Sequence, residues 1–314
     1  MTETAWRIVF FGTPLFSIPT LRGLLQGKDK VVAVVTQPDR EKGRGRKMIP
    51  SPVKELALRH SITVFQPEKV KDEAFDETLR ALQPDLFVVV AYGKILPRSL
   101  LIIPRRGAVN VHASLLPKFR GASPISWAVL RDEKKTGVTT MLMSEGMDTG
   151  EILLQRETPI GEEENAEILH DRLAPVGAEL LLETVEKMKA GTIVPVPQDH
   201  SKASYAPPLS KGDGKIDWTK EAAEIDRQVR AFYPWPGAFT AWDGRLLKIS
   251  KGRSREGAVQ KEPGRVVWVG WDFIEVATGR GLFRIEEVQM EGKKKMSVKD
   301  FLSGHPVPVG AVLQ

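Results

Sequence analysis

Cysteine does not occur in the 314 residues. Disulfides, thiolate nucleophiles and thiolate-bound zinc are therefore excluded. A chain without cysteine suits a reducing compartment, and the cytoplasm is the expected location. Histidine and tyrosine are scarce, with five and three copies. No stretch approaches the roughly 20 consecutive apolar residues that a membrane helix needs, so no membrane partner is expected. The opening "MTETAWRIVFFGTP" lacks a basic region, a long apolar core and a small-residue cleavage site, and is not expected to act as a secretory signal. The motifs G-x-G-x-x-G, G-x-x-x-x-G-K-S/T, H-E-x-x-H and G-x-S-x-G are all missing. Dinucleotide binding, a phosphate loop, a zinc-protease helix and a serine elbow thus have no signature, and no metal site is expected.

What is present describes an ordinary globular chain. Hydrophobic residues make up 41% and charged residues 27%, and the length favours two domains. In the first half, apolar strand-like runs alternate with helix-like segments. "RIVFFG" (7–12), "VVAVVT" (31–36), "DLFVVVAYG" (85–93) and "GAVNVH" (107–112) read as buried strands. "LFSIPTLRGLLQG", "SPVKELALRH" and "DEAFDETLRALQ" read as helices between them. This rhythm predicts an α/β fold with a Rossmann-like, doubly wound and mostly parallel sheet over residues 1–190. Residues 191–207 are rich in proline, glycine and polar residues and read as a linker. Residues 208–314 show one helical pattern and several short strands with turn signals, as expected for a small OB-like β-barrel. That part holds 18 basic against 14 acidic residues, which is most of the net charge of +6. Mild basicity suits a polyanionic partner.

Three places carry chemistry-bearing residues. The first is "NVH". Asn110 and His112 stand two apart at the end of a predicted strand, so they share a face. Ligands of open α/β sheets bind beyond the carboxyl ends of strands. An amide and an imidazole there are either a catalytic pair or a polar strand end. The second is Asp148 in "SEGMDTGEIL", flanked by Gly146 and Gly150. It is either a turn-former or a carboxylate folded back onto His112 to hold its tautomer. The third is "DREKGRGRK", where Arg40, Lys42, Arg44, Arg46 and Lys47 form a basic loop after a strand. It reads as a solvated charge run or as a phosphate-contacting arm.

The stretch "SLLPKFRGASP" (114–124), preceded by "NVH", resembles the S-L-L-P-x-x-R-G-x-x-P signature of the 10-formyltetrahydrofolate-dependent formyltransferases, and every fixed position matches. The likeness covers nearly the whole chain. It includes "VFFGTPLFS", "VVVAYGKILP", "LSKGDGKIDW" and "FYPWPGAFT", and is strongest to the branch that formylates methionyl initiator tRNA. Ser17 is one departure, since that family more often has alanine there. The resemblance implies Asn110, His112 and Asp148 as catalytic residues. It implies that Ser114, Leu115, Leu116 and Pro117, with Val90, Ala91 and Tyr92, hold 10-formyltetrahydrofolate as formyl donor. It further implies tRNA contacts at Arg40, Lys42, Arg44, Arg46, Lys47, Lys251 and Arg253, by a protein that works as a monomer. Arg120 is open between binding an anion and tying its loop down. A folate hydrolase module, a formyltransferase for amino-sugar nucleotides and a catalytically idle RNA-binding protein are the competing readings.

Overall fold

The computed structural model describes residues 5–42, 47–257 and 261–314. In chain order, β1 (Arg7–Gly12) leads through α1 (Ile18–Gln26) to β2 (Lys30–Val35). A short ribbon, β3 (Arg40–Lys42) and β4 (Lys47–Ile49), precedes α2 (Pro52–Arg59), β5 (Val64–Phe65) and α3 (Glu73–Ala81). Then come β6 (Leu86–Val90), α4 (Arg98–Leu101), β7 (Ala108–His112), β8 (Arg120–Gly121) and α5 (Pro124–Leu130). β9 (Lys135–Leu142), β10 (Ile152–Pro159), α6 (Ala166–Lys189) and β11 (Tyr205–Ala206) follow. The helix starts match the sequence signals. Ser51 caps α2 by accepting from the Lys54 amide, and Asp72 caps α3 by accepting from the Phe75 amide.

The chain divides into two compact units. The first comprises residues up to 124, 135–159 and 170–206; the second comprises 125–134, 160–169 and 207–314. The first unit is built on one seven-stranded sheet of order β10-β9-β7-β6-β1-β2-β5. Strands β7, β6, β1, β2 and β5 run parallel, while β9 and β10 add an antiparallel edge. The expected doubly wound, mostly parallel sheet is therefore present. Its central strands are apolar throughout: Ile8 to Phe11 and Leu86 to Val90 are buried. Helices cover both faces of such a sheet, so both sets of side chains leave water. Each large apolar side chain so buried contributes about 1.5–3 kcal/mol. Gly177 lets α6 close onto the sheet, because a Cβ there would stand 3.0 Å from Val111.

Tyr92 carries a buried polar group without a partner. The Tyr92 ring packs edge-on against Phe11, and its hydroxyl has no hydrogen-bond partner among the described residues. Burial pushes this phenol up to about 12 from 10.0. The folded protein thus holds the phenolic proton more tightly than the unfolded chain. The linked stability is complete below pH 10 and is lost as pH rises toward 12. Tyr92→Phe is expected to stabilise the protein by about 1 kcal/mol at neutral pH, since an unpaired buried hydroxyl costs that order. The gain should widen above pH 10. Denaturant titrations of both proteins at pH 7 and 10.5 test this, and a variant less stable at both values would contradict it.

Of the stretch 191–207 expected as a linker, residues 191–206 are held within the first unit. Val196 pairs with Ile152, and Tyr205–Ala206 run parallel to Arg120–Gly121. The second unit contains α7 (Ala222–Ala231), β12 (Ala238–Trp242), β13 (Arg245–Arg255), β14 (Val266–Val269), β15 (Ile274–Ala277), β16 (Leu282–Met290), β17 (Met296–Ser297) and α8 (Val298–Gly304). Its antiparallel strands run β12-β13-β16-β15-β14, with β17 on β16. The two edges are then joined by the last residues of the chain. Gln314 exchanges backbone hydrogen bonds with Ala241 beside one edge, while Leu313 and Ala311 bond to Gly264 and Val266 at the other. This closes the sheet as a barrel around Trp218, Ile225, Phe283, Val288 and Phe301.

Candidate active site

Strand β7 ends on the residues of interest. Val109 and Val111 are buried on one face, which puts Asn110 and His112 together on the other. His112 Nε2 lies 2.8 Å from the Phe119 carbonyl oxygen. A carbonyl only accepts, so Nε2 carries the hydrogen. His112 Nδ1 faces Asp148 Oδ2 at 3.6 Å, beyond hydrogen-bond reach, and the two carry opposite charges only when the ring is protonated. Proton exchange at this imidazole is therefore confined to Nδ1.

Asp148 gathers the cluster. Its Oδ2 accepts from the Gly121 amide at 2.8 Å, and its Oδ1 lies 3.5 Å from Asn110 Nδ2. Its backbone sits in the left-handed region at φ 50°, which aspartate tolerates better than most residues. The three residues proposed from sequence thus come together at one strand end. The sequence reading differs from the structure on one point. The tautomer of His112 is set by the Phe119 carbonyl, not by Asp148, which instead supplies negative charge at Nδ1. Phe119, at φ 58°, gave no signal because a backbone group does the work.

The loop after β7 is fixed from β9 and β10. Thr139 Oγ1 donates to the Ser114 carbonyl and accepts from the Leu116 amide, while Gln155 Nε2 donates to the Leu116 carbonyl. Ser114 Oγ donates to the Lys118 carbonyl. Ser114 and Leu116 are buried, whereas Leu115 and Pro117 keep some surface. On the neighbouring strand end, Ser17 Oγ donates to the Val90 carbonyl at 2.6 Å. The serine that departs from the family habit therefore pins this wall. Thr13 and Gln37 both donate to the Tyr92 carbonyl. Between those two buried residues Ala91 is exposed, at φ 47°. A left-handed alanine is a strained arrangement that ordinarily marks a ligand-contacting turn. The Arg120 side chain is turned inward and ties its loop down. It is 2% exposed and donates to Gln198 Oε1 at 3.1 and 2.7 Å and to His200 Nδ1 at 3.2 Å.

The cationic residues are placed in part. The basic segment is not wholly a loop, because Arg40–Lys42 pair antiparallel with Lys47–Ile49. Arg40 is exposed on this ribbon. Arg44 and Arg46 lie outside the described residues, as do the side chains of Lys42 and Lys47. The base of the ribbon is anchored by Asp39, whose carboxylate takes Lys54 and Gln66. The hydrogen bond from Lys54 is the main reason that this carboxyl lies below its usual range. In the second unit Lys251 and Arg253 share the carboxylate of Glu286. Exposed Trp268 and Trp271 stand in the same unit, with the Lys299 ammonium 5.3 Å from the Trp271 ring. The sequence reading missed these aromatics.

Fold and site suit one class: an α/β enzyme with an amide, an imidazole and a carboxylate gathered beside the end of a sheet strand. Comparison with known proteins gives the same class. Residues 6–185 match the formyl transferase family and residues 208–306 match the formyl transferase C-terminal domain. The methionyl-tRNA formyltransferase of Trichlorobacter lovleyi is 53% identical over 99% of this chain and 98% of its own length. That of Caldanaerobacter subterraneus is 48% identical over 98% and 100%. A solved sugar 3N-formyl transferase superposes with a TM-score of 0.68 at 19% identity, over 93% of this chain and all of its own. The glycinamide ribonucleotide transformylase of Symbiobacterium toebii superposes over only 62% of this chain, with a TM-score of 0.52 at 22% identity. The chain belongs to the methionyl-tRNA formyltransferase family. Among the described residues, no helix is long and apolar enough to cross a membrane.

Proposed function

We propose that the protein transfers the formyl group of 10-formyltetrahydrofolate to the α-amino group of methionyl initiator tRNA. The carrying observation is the cluster in which Asp148 draws Asn110, His112 and the Gly121 amide to one strand end. The kinship of the whole chain to methionyl-tRNA formyltransferases supports the choice of acceptor.

The formyl donor supplies an activated one-carbon group on nitrogen, and the chain does the rest. Exposed Ala91, between carbonyls already taken by Ser17, Thr13 and Gln37, offers backbone for the folate ring. Val90 and Tyr92 fix that turn, and the Ser114–Pro117 loop walls the other side. Asn110 Nδ2 carries two hydrogens, and Asp148 engages one. The second can meet the formyl oxygen as it becomes negative, a contact worth about 3 kcal/mol. His112 Nδ1 exchanges the proton that leaves the attacking amine and must reach the departing nitrogen. A free α-amine titrates at roughly 8, so a modest base suffices. Asp148 keeps Nδ1 in a negative field through that exchange. Catalytic trio and candidate tRNA contacts belong to one chain, so a monomer suffices, and the absence of cysteine fits the cytoplasm.

Arg40, Lys42, Arg44, Arg46 and Lys47 act as an arm on the tRNA backbone, with Lys251 and Arg253 as weaker contacts because they share Glu286. Replacing the five arm cations by glutamine should raise KM for methionyl-tRNA at least about tenfold. It should also flatten the salt dependence by about one unit of slope for each phosphate that is no longer neutralised, leaving KM for the folate unchanged. An equal rise in both KM values would remove the arm from tRNA binding. The function itself is tested by mixing protein and 10-formyltetrahydrofolate with charged initiator tRNA, uncharged tRNA or none. Formylmethionyl-tRNA formed only with the charged tRNA supports the proposal. Folate deformylated without tRNA would replace it with a hydrolase.

A further inference from the structure

We infer that Gln198 is a positioning residue for the formyl-transfer site: one buried amide that sets the distance between His112 and Asp148. Gln198 is 6% exposed, in a stretch whose composition reads as a linker. Its Nε2 donates to the Asp148 carbonyl at 2.9 Å and to the Gly150 carbonyl at 2.7 Å. Its Oε1 accepts twice from the Arg120 guanidinium. These four bonds join two segments: the turn that carries Asp148, and β8 with the residue before it, whose backbone groups contact His112 and Asp148.

Arg120 stands between the two backbone groups that touch the trio. The Phe119 carbonyl on one side takes His112 Nε2, and the Gly121 amide on the other holds Asp148 Oδ2. The Arg120 side chain thus fixes the peptide groups that orient the imidazole and carboxylate. Gln198 ties that side chain to the backbone of the turn carrying Asp148. Without this link, the 3.6 Å between Nδ1 and Oδ2 rests on the contacts of the Asp148 carboxylate with Gly121 and Asn110 and on the backbone bond from Leu142 to Glu151 beyond the turn. A buried guanidinium also needs acceptors. Arg120's side-chain partners among the described residues are the neutral Gln198 and His200, and His200 Nδ1 must be unprotonated to accept. Gln198 therefore holds a charge in place without placing a second carboxylate beside Asp148.

The inference rests on the proposed formyl transfer, so wild-type activity with methionyl-tRNA is measured first; its absence would fail that reading and not this one. Gln198→Glu is the main variant, because it keeps an oxygen for Arg120 and loses both hydrogens to the Asp148 turn. Gln198→Leu removes both links. Small displacements of catalytic groups cost on the order of 100-fold. Gln198→Glu should therefore lower kcat about 100-fold with KM for both substrates within about threefold and the thermal midpoint close to wild type. The decisive readout is the pairing with Asp148→Asn. If Gln198 acts through Asp148, adding Gln198→Glu to that variant should lower kcat less than about threefold further. Full multiplication of the two losses would make Gln198 a general structural residue and overturn the inference, as would a Gln198→Glu enzyme with wild-type kcat. Should Gln198→Leu fold poorly, Gln198→Glu alone decides.

Discussion

Asp148→Asn is expected to lower kcat roughly a thousandfold or more while leaving the melting temperature within a few degrees of wild type. The two halves of this expectation have separate causes. Asparagine has nearly the shape of aspartate and tolerates the left-handed backbone at φ 50°, so the turn should form. The chemistry should not survive. The Asp148 carboxylate accepts from Gly121 on one oxygen and faces Asn110 with the other. An amide has a single oxygen, so one of those positions would present N–H to N–H. The negative charge 3.6 Å from His112 Nδ1 also disappears. Removing the carboxylate beside a catalytic imidazole in a hydrolase triad costs about ten-thousandfold through a wrong tautomer; here the Phe119 carbonyl holds the tautomer, so the loss should be smaller. Steady-state kinetics with saturating methionyl-tRNA, paired with a thermal melt, make the test. A kcat within tenfold of wild type would show that Asp148 only forms the turn. A melt lowered by ten degrees or more would show that the charge chiefly stabilises the fold.

Much of this architecture was legible in the sequence because its signals are local. Strands β1, β2 and β6 are largely apolar runs, β7 is apolar apart from Asn110 and His112, and α2 and α3 begin at residues that cap them. Asn110 and His112 were legible because polar residues two apart at the end of a buried strand must share a face. Asp148 was legible as an acid in a glycine-flanked turn. What escaped notice depends on backbone groups or on isolated pairings. The Phe119 carbonyl has no side-chain signature. Gln198 lies in a stretch without period, where single contacts such as Val196 with Ile152 do the holding. Strand β12 follows a Pro-Trp-Pro-Gly turn and alternates over only five residues. The closing segment at Gln314 pairs with edges that are brought together only when the barrel forms. The resemblance supplied the roles of the trio, whereas the anchoring of Arg120, which the sequence left open, needed coordinates.

Gly150→Ala should be the most damaging change outside the proposed catalytic trio. A Cβ built on Gly150 would lie 1.6 Å from the Leu142 carbonyl oxygen and 2.8 Å from the carbonyl carbon. Both are backbone atoms at the end of β9, so no side-chain rotation relieves the clash. The Leu142 amide also donates to the Glu151 carbonyl at 2.9 Å, which locks the two segments at the distance that excludes a methyl group. Relief requires the backbone of 148–150 to move by more than 1 Å, on the order of what brings a contact from 1.6 Å toward an ordinary separation. That movement would carry Asp148 away from Gly121 and His112 and would break the bond from Gln198 to the Gly150 carbonyl. Overpacking against immobile atoms costs about 3 kcal/mol or more. At roughly 2–4 °C per kcal/mol for a domain of this size, the melting point of the first unit should fall by about 6–12 °C. Activity at a temperature where the variant is still folded should fall about 100-fold, because the displacement reaches the reacting groups. Gly304→Ala is the control. It lies at the end of α8, and a Cβ there meets nothing within 4 Å. It should melt with the wild type and turn over at the same rate. If Gly150→Ala behaved like that control, the close approach of the Asp148 turn to β9 would not exist in solution, and the geometry assigned to the catalytic carboxylate would fall with it.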